Sequence, residues 1–430
     1  MSTFSNLHSA YAKTLLIASL LLEICVADGQ NITATWAGGT GNWNDGSYWT
    51  TNPNFPNNGV QLYSADIYSG SATLDQAIDL ETLTLGLMPD GTFPTVDLGS
   101  NSMTVKTFDL KQGRVTGSGT LSVSGAFEWN NGLMLGAGTT NALNGIFFNG
   151  LSSSSWFGRL DRTLNCYGSS SVQTTAPYTE DLDFDQQAAL NIMPGATFNG
   201  SRLMILGSDV FGITNGTVTN YGTLVIDDPG LNRGMDVFGT AFVNQGEIQI
   251  TNSSLDVRTT TDQAAFIQNS GNIRLLNGKL WLSGFARLNA GSLSGNGTVG
   301  NLQSSALIAP TGTGLDFLQS TLTLLPGSVL AYDFIQPTSK SVSCPQITNV
   351  YAATLEGTLQ VTLNAALPHR IRPSSTFTLL SAQMIAGQFS NVASGQRLTT
   401  SDERGSFLVT YNGTTVQLSD FRRSKNKRPR

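Results

Sequence analysis

Glu180-Asp181-Leu182-Asp183-Phe184-Asp185 is the stretch of the 430-residue chain whose side chains most invite a chemical reading. Asp181, Asp183 and Asp185 alternate with Leu182 and Phe184. An extended strand would therefore set three carboxylates on one face and two apolar side chains on the other. Carboxylates gathered this way could bind Ca²⁺, or divide the roles of acid and base in polysaccharide cleavage. A lyase would also need a cationic base, for which Arg159 and Arg162 are the neighbouring candidates. The plainer reading is preferred: a solvated outer face, with Leu182 and Phe184 pointing inward. Past residue 27 the chain has a single histidine, His369, in the loop-like Leu367-Pro368-His369-Arg370. A histidine metal centre is thereby disfavoured, and a Ser-His-Asp triad would have only this imidazole to use. Neither a metal nor a cofactor is expected.

A second candidate surface is aromatic. Trp36, Trp43, Tyr48 and Trp49 lie in a Gly-rich tract between Trp36 and Trp49. Their rings could stack on sugars. The preferred alternative is a plug, in which the rings close the end of a stack of strands and the glycines let backbone pass close to them. Asp227-Asp228-Pro229-Gly230 reads as a turn. Cys166 and Cys344 are read as separate small side chains, a bridge between them being the less favoured option. Asn-x-Ser/Thr sequons stand at Asn31, Asn199, Asn215, Asn252, Asn296 and Asn412.

The elements that would hold these residues are set by internal repetition. Val218-x-Asn220-x-Gly222-x-Leu224-x-Ile226 returns as Phe242-x-Asn244-x-Gly246-x-Ile248-x-Ile250, and again as Ile267-x-Asn269-x-Gly271-x-Ile273-x-Leu275. The spacing suits one turn of a β-solenoid. Alternating apolar residues give a strand with an inward face, and Asn and Gly readily take the left-handed conformation of a sharp corner. Asn220, Gly222, Asn244, Gly246, Asn269 and Gly271 are thus expected as corner residues. Burying an aliphatic side chain contributes roughly 1.5–3 kcal/mol, whereas ordering each residue costs about 1–2 kcal/mol. One turn therefore cannot fold alone, and turns must stack on one another. Helical periodicity is nearly absent, with room for one short capping helix at most.

Composition agrees with a stack. Charged residues are 12% of the chain and hydrophobic residues 40%, with 46 glycines. The net charge of −6 includes six basic side chains among residues 422–430, so the rest carries −12, and nucleic acid is not an expected partner. Lys13, the apolar run Leu15–Leu22 and the small residues Cys25 and Ala27 form a secretory signal with cleavage after Ala27. Leu22-Glu23-Ile24-Cys25 fits lipid acylation poorly, because Ile24 is large. No other run has the ~18 apolar residues of a membrane helix, so no span is expected in the mature chain.

The expected fold class is all-β: a right-handed parallel β-helix closed by a C-terminal antiparallel cap or small sandwich. The divisions are a signal peptide at 1–27, a Trp/Gly-rich cap at 28–60, solenoid repeats at 61–310, a C-terminal β domain at 311–421 and a basic disordered tail at 422–430. The last domain is inferred from longer alternating strands such as Gly357–Leu363 and Phe407–Tyr411, among which no Asn-x-Gly corner recurs. Closing the end would protect strand edges from aggregation.

The tract Trp36–Trp49, the strand unit Gly117–Gly138, and Ser294–Val299 followed by Ile308–Pro310 resemble large bacterial exported proteins with autotransporter-associated β-strand repeats, and their relatives with sorting-signal tails. The resemblance implies a passenger-like, adhesin-like β-solenoid. The chain departs from that pattern in having neither an outer-membrane barrel nor a sorting tail, which puts both family routes of attachment in doubt. The leading expectation is a secreted or cell-surface structural scaffold without catalysis, with a polysaccharide or the cell envelope as partner. The alternatives are a β-helical polysaccharide lyase or glycosidase using Asp181, Asp183 and Asp185, and a carbohydrate-binding protein led by Trp36, Trp43 and Trp49.

Overall fold

The computed structural model describes residues 31–424, apart from 87–92, 150–157, 174–179, 186, 208–215, 229–233, 259–265, 283, 285, 335–341 and 365. The signal-like segment, Asn215 and residues 425–430 therefore lie outside the described residues. The described chain is strand after strand, joined into one parallel-dominated, solenoid-like stack. No α-helix occurs among the described residues, and the 3-10 turns Gly46–Tyr48 and Leu367–His369 stand where a capping helix had been allowed.

Three parallel ladders run along the stack. The first joins Thr40–Asn42 to Ser71–Thr73 and climbs through Gly158–Leu160, Glu180–Phe184, Leu203–Gly207, Met235–Phe238 and Ser254–Arg258. The second climbs through Thr120–Val123, Thr139–Ala142, Thr163–Cys166, Ala189–Ile192, Thr217–Asn220, Ala241–Asn244 and Phe266–Gln268. The third begins with Asn31–Thr35 on Leu62–Ile67 and later joins Phe147–Asn149, Ser169–Gln173, Thr197–Asn199, Thr223–Asp227 and Glu247–Thr251. Each turn of the chain contributes one rung to each ladder. Alternation does the sorting: Leu164 and Cys166 point inward and are fully buried, while Thr163 and Asn165 between them face out.

The interior is a set of columns of like side chains. Trp129, Phe148 and Phe198 stack at centroid separations of 5.8 and 6.0 Å, and Phe242 lies on Phe266 at 5.4 Å. Such contacts bury a large apolar area and hold neighbouring turns in register.

The corner motif needs correcting. None of Asn220, Asn244 and Asn269 has a positive φ. Asn220 and Asn244 end their strands with side chains turned inward and fully buried, directly above one another. The residue that continues this column is Gln268, not Asn269. The third copy carries one extra residue before its glycine, so Asn269 slips to the exposed side, where its amide oxygen accepts from Asn289 Nδ2 at 2.8 Å. The glycines do stack. A Cβ on Gly246 would lie 2.1 Å from the carbonyl oxygen of Gly222, and one on Gly271 would lie 1.8 Å from that of Gly246. Close approach of backbones therefore requires glycine at both turns, and only Gly271 of the three is also left-handed, at φ 75°.

Parallel pairing does not stop near residue 310. Leu307–Asp316, Val329–Phe334, Gln346–Leu355, Thr358–Leu363 and Phe377–Gly387 extend the ladders in the same sense. Among the described strands, antiparallel ladders join Phe377–Gly387, Arg397–Thr399, Gly405–Tyr411 and Thr415–Arg423, besides one isolated antiparallel bridge between Trp36 and Trp49. The last two strands are joined across Asn412-Gly413, with Gly413 at φ 85°, which is ordinary hairpin chemistry. Arg422 and Arg423, expected in the tail, end the final strand.

At each end of the described stack part of the outer edge finds hydrogen-bond partners. At the first, residues 48–50 fold back on the opening rung: Ala37 N–H donates to Tyr48 O at 2.7 Å and Thr50 N–H to Thr35 O at 3.0 Å. At the other, Asn391 imitates a strand against the edge of Thr358–Leu363. Its Oδ1 accepts from Leu359 N–H at 3.0 Å and its Nδ2 donates to Leu359 O at 2.9 Å.

Candidate functional site

The strand Glu180–Phe184 puts Asp181 and Asp183 outward, with Asp185 following them, while Leu182 and Phe184 are fully buried. The carboxylates share a face, as alternation implies, but little converges on them. Arg159, in register with Asp183 one rung away, reaches over to hold Asp185 in an ion pair through its Nε and Nη2. On the other side Met204 and Leu206 stand in register with Asp181 and Asp183. Burial holds the Asp183 carboxyl above its usual range, with Asp181 and Asp185 adding to the shift and Arg159 opposing it. No group of His, Cys, Asp and Glu among the described residues is arranged to hold a metal ion.

Arg162 is no surface base. It shares the parity of Leu160 and Leu164, and its side chain runs into the interior, fully buried. The guanidinium Nη2 donates to Gly119 O at 2.7 Å and Thr139 O at 3.2 Å, while Nη1 reaches Leu135 O at 3.4 Å. Burial lowers its pKa to about 10, still far above neutrality, so the buried cation is held by main-chain carbonyls of earlier turns. His369 lies in the 3-10 turn Leu367–His369, with its Nδ1 3.0 Å from Nη1 of Arg423, remote from the acidic strand in the order of the stack.

The tryptophans are buried, at 3% exposure for Trp36, 0% for Trp43 and 2% for Trp49. Trp36 stacks on Tyr48 at 4.8 Å and meets Trp49 edge-on at 5.0 Å, and Trp43 lies 4.7 Å from Trp49. Trp43 Nε1 donates to Pro56 O at 2.9 Å and Trp49 Nε1 to Trp43 O at 2.8 Å. The indole faces are spent on one another and on the first turns, which leaves none of the three open to a sugar ring. Cys166 and Cys344 are separate free thiols, both pushed up to about 12 by burial.

A further charged group was missed in the sequence because its members are far apart along the chain. Asp236 and Asp256 stack on adjoining rungs of the first ladder. Arg258 pairs with Asp256 and lies 4.9 Å over Phe238, and Lys279 lies 4.6 Å over Trp281. Burial first, then the neighbouring Asp256, raises the Asp236 carboxyl, while Arg258 and Lys279 work the other way.

The second ladder presents a different surface. Its outward positions form two columns: Thr120, Thr139, Thr163, Ala189 and Thr217, beside Ser122, Asn141, Asn165, Asn191 and Thr219. Asn165 Nδ2 donates to Asn141 Oδ1, and Asn191 Nδ2 to Asn165 Oδ1, each at 2.9 Å. From the rung of Ser102–Leu110 to that of Phe266–Gln268, the outward side chains paired in this ladder carry no charge. No family model matches the chain, and neither a curated protein nor a solved structure matches it.

Proposed function

We propose that this chain is an exported scaffold, secreted or held at the cell surface, whose stack is a right-handed parallel β-helix and whose work is to present long flat faces without catalysis. The observation that carries this reading is the uncharged hydroxyl and amide face of the second ladder. Three of its side chains, Asn141, Asn165 and Asn191, are locked into a row by their own hydrogen bonds. A flat neutral surface of this kind suits lateral packing against an envelope polymer. Charged groups elsewhere support the same reading: Arg159 is engaged with Asp185, Arg162 is inside, and His369 faces Arg423. The signal-like residues 13–27 supply the route of export.

A turnover screen of the purified chain on acidic and neutral polysaccharides, with and without Ca²⁺, tests the absence of catalysis. No product is expected. Product that disappears in Asp183→Ala would replace the scaffold with an enzyme. Fractionation of cells expressing the full chain tests the location, and retention of an uncleaved form in the cytoplasm would refute it.

A further inference from the structure

Alternation on the second ladder carries one residue past the paired strands. Leu143, Tyr167, Met193 and Tyr221 follow the buried Ala142, Cys166, Ile192 and Asn220 and turn outward. Main-chain bonds keep them in step: Tyr167 N–H donates to Ala142 O at 2.9 Å, Met193 N–H to Cys166 O at 3.0 Å and Tyr221 N–H to Ile192 O at 2.8 Å. They form a third outward column, beside the amides of Asn141, Asn165 and Asn191. This column is apolar where the other two are polar. Leu143 is 46% exposed and Tyr221 40%. The corners that carry it, residues 141–146, 165–169, 191–197 and 219–223, are described throughout and hold no charged side chain. Among the described residues neither tyrosine hydroxyl has a hydrogen-bond partner.

We propose that this column and the amide row beside it bind one extended chain of a neutral β-1,4-linked polysaccharide, laid along the stack. The first argument is period. Tyr167 and Tyr221 stand two rungs apart, about 9.6 Å at ~4.8 Å per rung. That is close to the disaccharide repeat of such a chain, in which each sugar is flipped relative to the next, so the two tyrosines meet equivalent sugars. The second is chemistry. Apolar side chains cover the C–H face of a sugar, and Leu143 and Met193 continue that contact below and between the tyrosines. The amides serve the edge of the chain. Asn165 spends one N–H and one lone pair on its neighbours, and an amide has two of each, so it keeps a donor and an acceptor at a fixed place for hydroxyls. The third is charge: an uncharged polymer loses no ionic hydration on an uncharged surface, and an anionic one finds no cation there to pair with. The inference rests on the second ladder being the presenting face of the scaffold, and it names the polymer presented to.

The test is co-sedimentation of the whole chain with microcrystalline cellulose and with chitin, and with insoluble amylose as a neutral polymer whose α-linkages coil it. Binding to at least one of the β-linked polymers is expected, and none to amylose. Tyr167→Ala and Tyr221→Ala should each weaken binding about tenfold with an unchanged urea midpoint. Tyr351→Ala, which removes a ring 54% exposed in a later strand outside the column, should leave binding as it was. Failure to bind either β-linked polymer, equal binding to amylose, or binding indifferent to both tyrosines overturns the column as a glycan track. The scaffold reading then still stands on its own turnover and fractionation tests. Self-association that is lost in Tyr221→Ala, without polymer binding, gives the face to a second copy of the chain and overturns the glycan. Release of soluble sugar from the bound polymer overturns the non-catalytic reading and leaves the column standing.

Discussion

Replacing Asn244 by leucine should destabilise the stack by about 2–3 kcal/mol although it inserts an apolar side chain into a buried site. Asn244 is the middle of an inward amide column. Asn220 Nδ2 donates to Asn244 Oδ1 at 2.8 Å, and Asn244 Nδ2 donates to Gln268 Oε1 at 3.0 Å. After the substitution Asn220 Nδ2 still has Glu247 O at 2.9 Å, and Gln268 Nε2 still has Ala290 O at 2.9 Å. The groups left stranded are Gln268 Oε1 and the Gly246 N–H, which donates to Asn244 Oδ1 at 3.3 Å. An unsatisfied buried acceptor costs about 1–3 kcal/mol, and the second lost amide bond adds roughly 1 kcal/mol. The column continues as Ile192 below and Leu288 above, so the site itself accepts an aliphatic side chain. Asn220→Leu, Asn244→Leu and Gln268→Leu together should therefore cost less than the sum of the three single changes, since no side-chain amide of the column is then left facing a missing partner. Urea denaturation followed by far-ultraviolet circular dichroism gives the five midpoints, of the wild type, the three single variants and the triple variant. A neutral Asn244→Leu, or strict additivity across the three sites, would refute the column as a coupled unit.

Gly246→Ala should lower the urea midpoint by an amount corresponding to about 1–3 kcal/mol, because its Cβ would meet the backbone carbonyl of Gly222, whereas Gly59→Ala, with open space around it, should be silent. Asp183→Asn should stabilise the fold at neutral pH. A carboxyl held above its ordinary value of 3.8 binds its proton more tightly folded than unfolded, so wild-type stability falls as pH rises through that window. The advantage of the asparagine should vanish below it, and an advantage of equal size at pH 3 and pH 7 would contradict the burial argument. Cys166 and Cys344 should resist a thiol reagent in the native chain at pH 8 and react together once urea unfolds it, since burial keeps both as thiols.

Much of this fold is visible in alternation alone. Leu182 and Phe184 inward with Asp181 and Asp183 outward follows from a period of two, and stacked turns follow from repeats too small to fold singly. What alternation could not supply is the meaning of a polar residue at an inward parity. Asn220, Asn244 and Arg162 each occupy such a position, and amphipathic reasoning sends them to corners or to solvent. The register of the third repeat was lost for a related reason: the Asn-x-Gly spelling of Asn269-Ser270-Gly271 matches its predecessors, yet one inserted residue moves the column to Gln268. Strand direction past residue 310 was illegible because parallel and antiparallel strands share their alternation. Only the Asn412-Gly413 hairpin marks the change, and it lies near the end of the antiparallel region. The Arg202–Asp228 ion pair escaped because its partners lie 26 residues apart and Asp228 falls in a tract that reads as a turn.

The low charge of the chain now has a structural cause. In a parallel stack every outward side chain has a neighbour of the same rank about 4.8 Å above and below it. Two like charges at that separation repel by roughly 3 kcal/mol at an effective dielectric of 20, a cost that a solenoid would meet at every repeat. The chain bears such a contact where it also provides relief. Asp236 and Asp256 adjoin, and Arg258 and Lys279 stand beside them. Asp183 has Arg159 on the rung to one side and uncharged Leu206 on the rung to the other. On the second ladder charge is missing, and Asn141, Asn165 and Asn191 bond to one another without it. The neutral face and the sparse acids are thus consequences of one stacking rule.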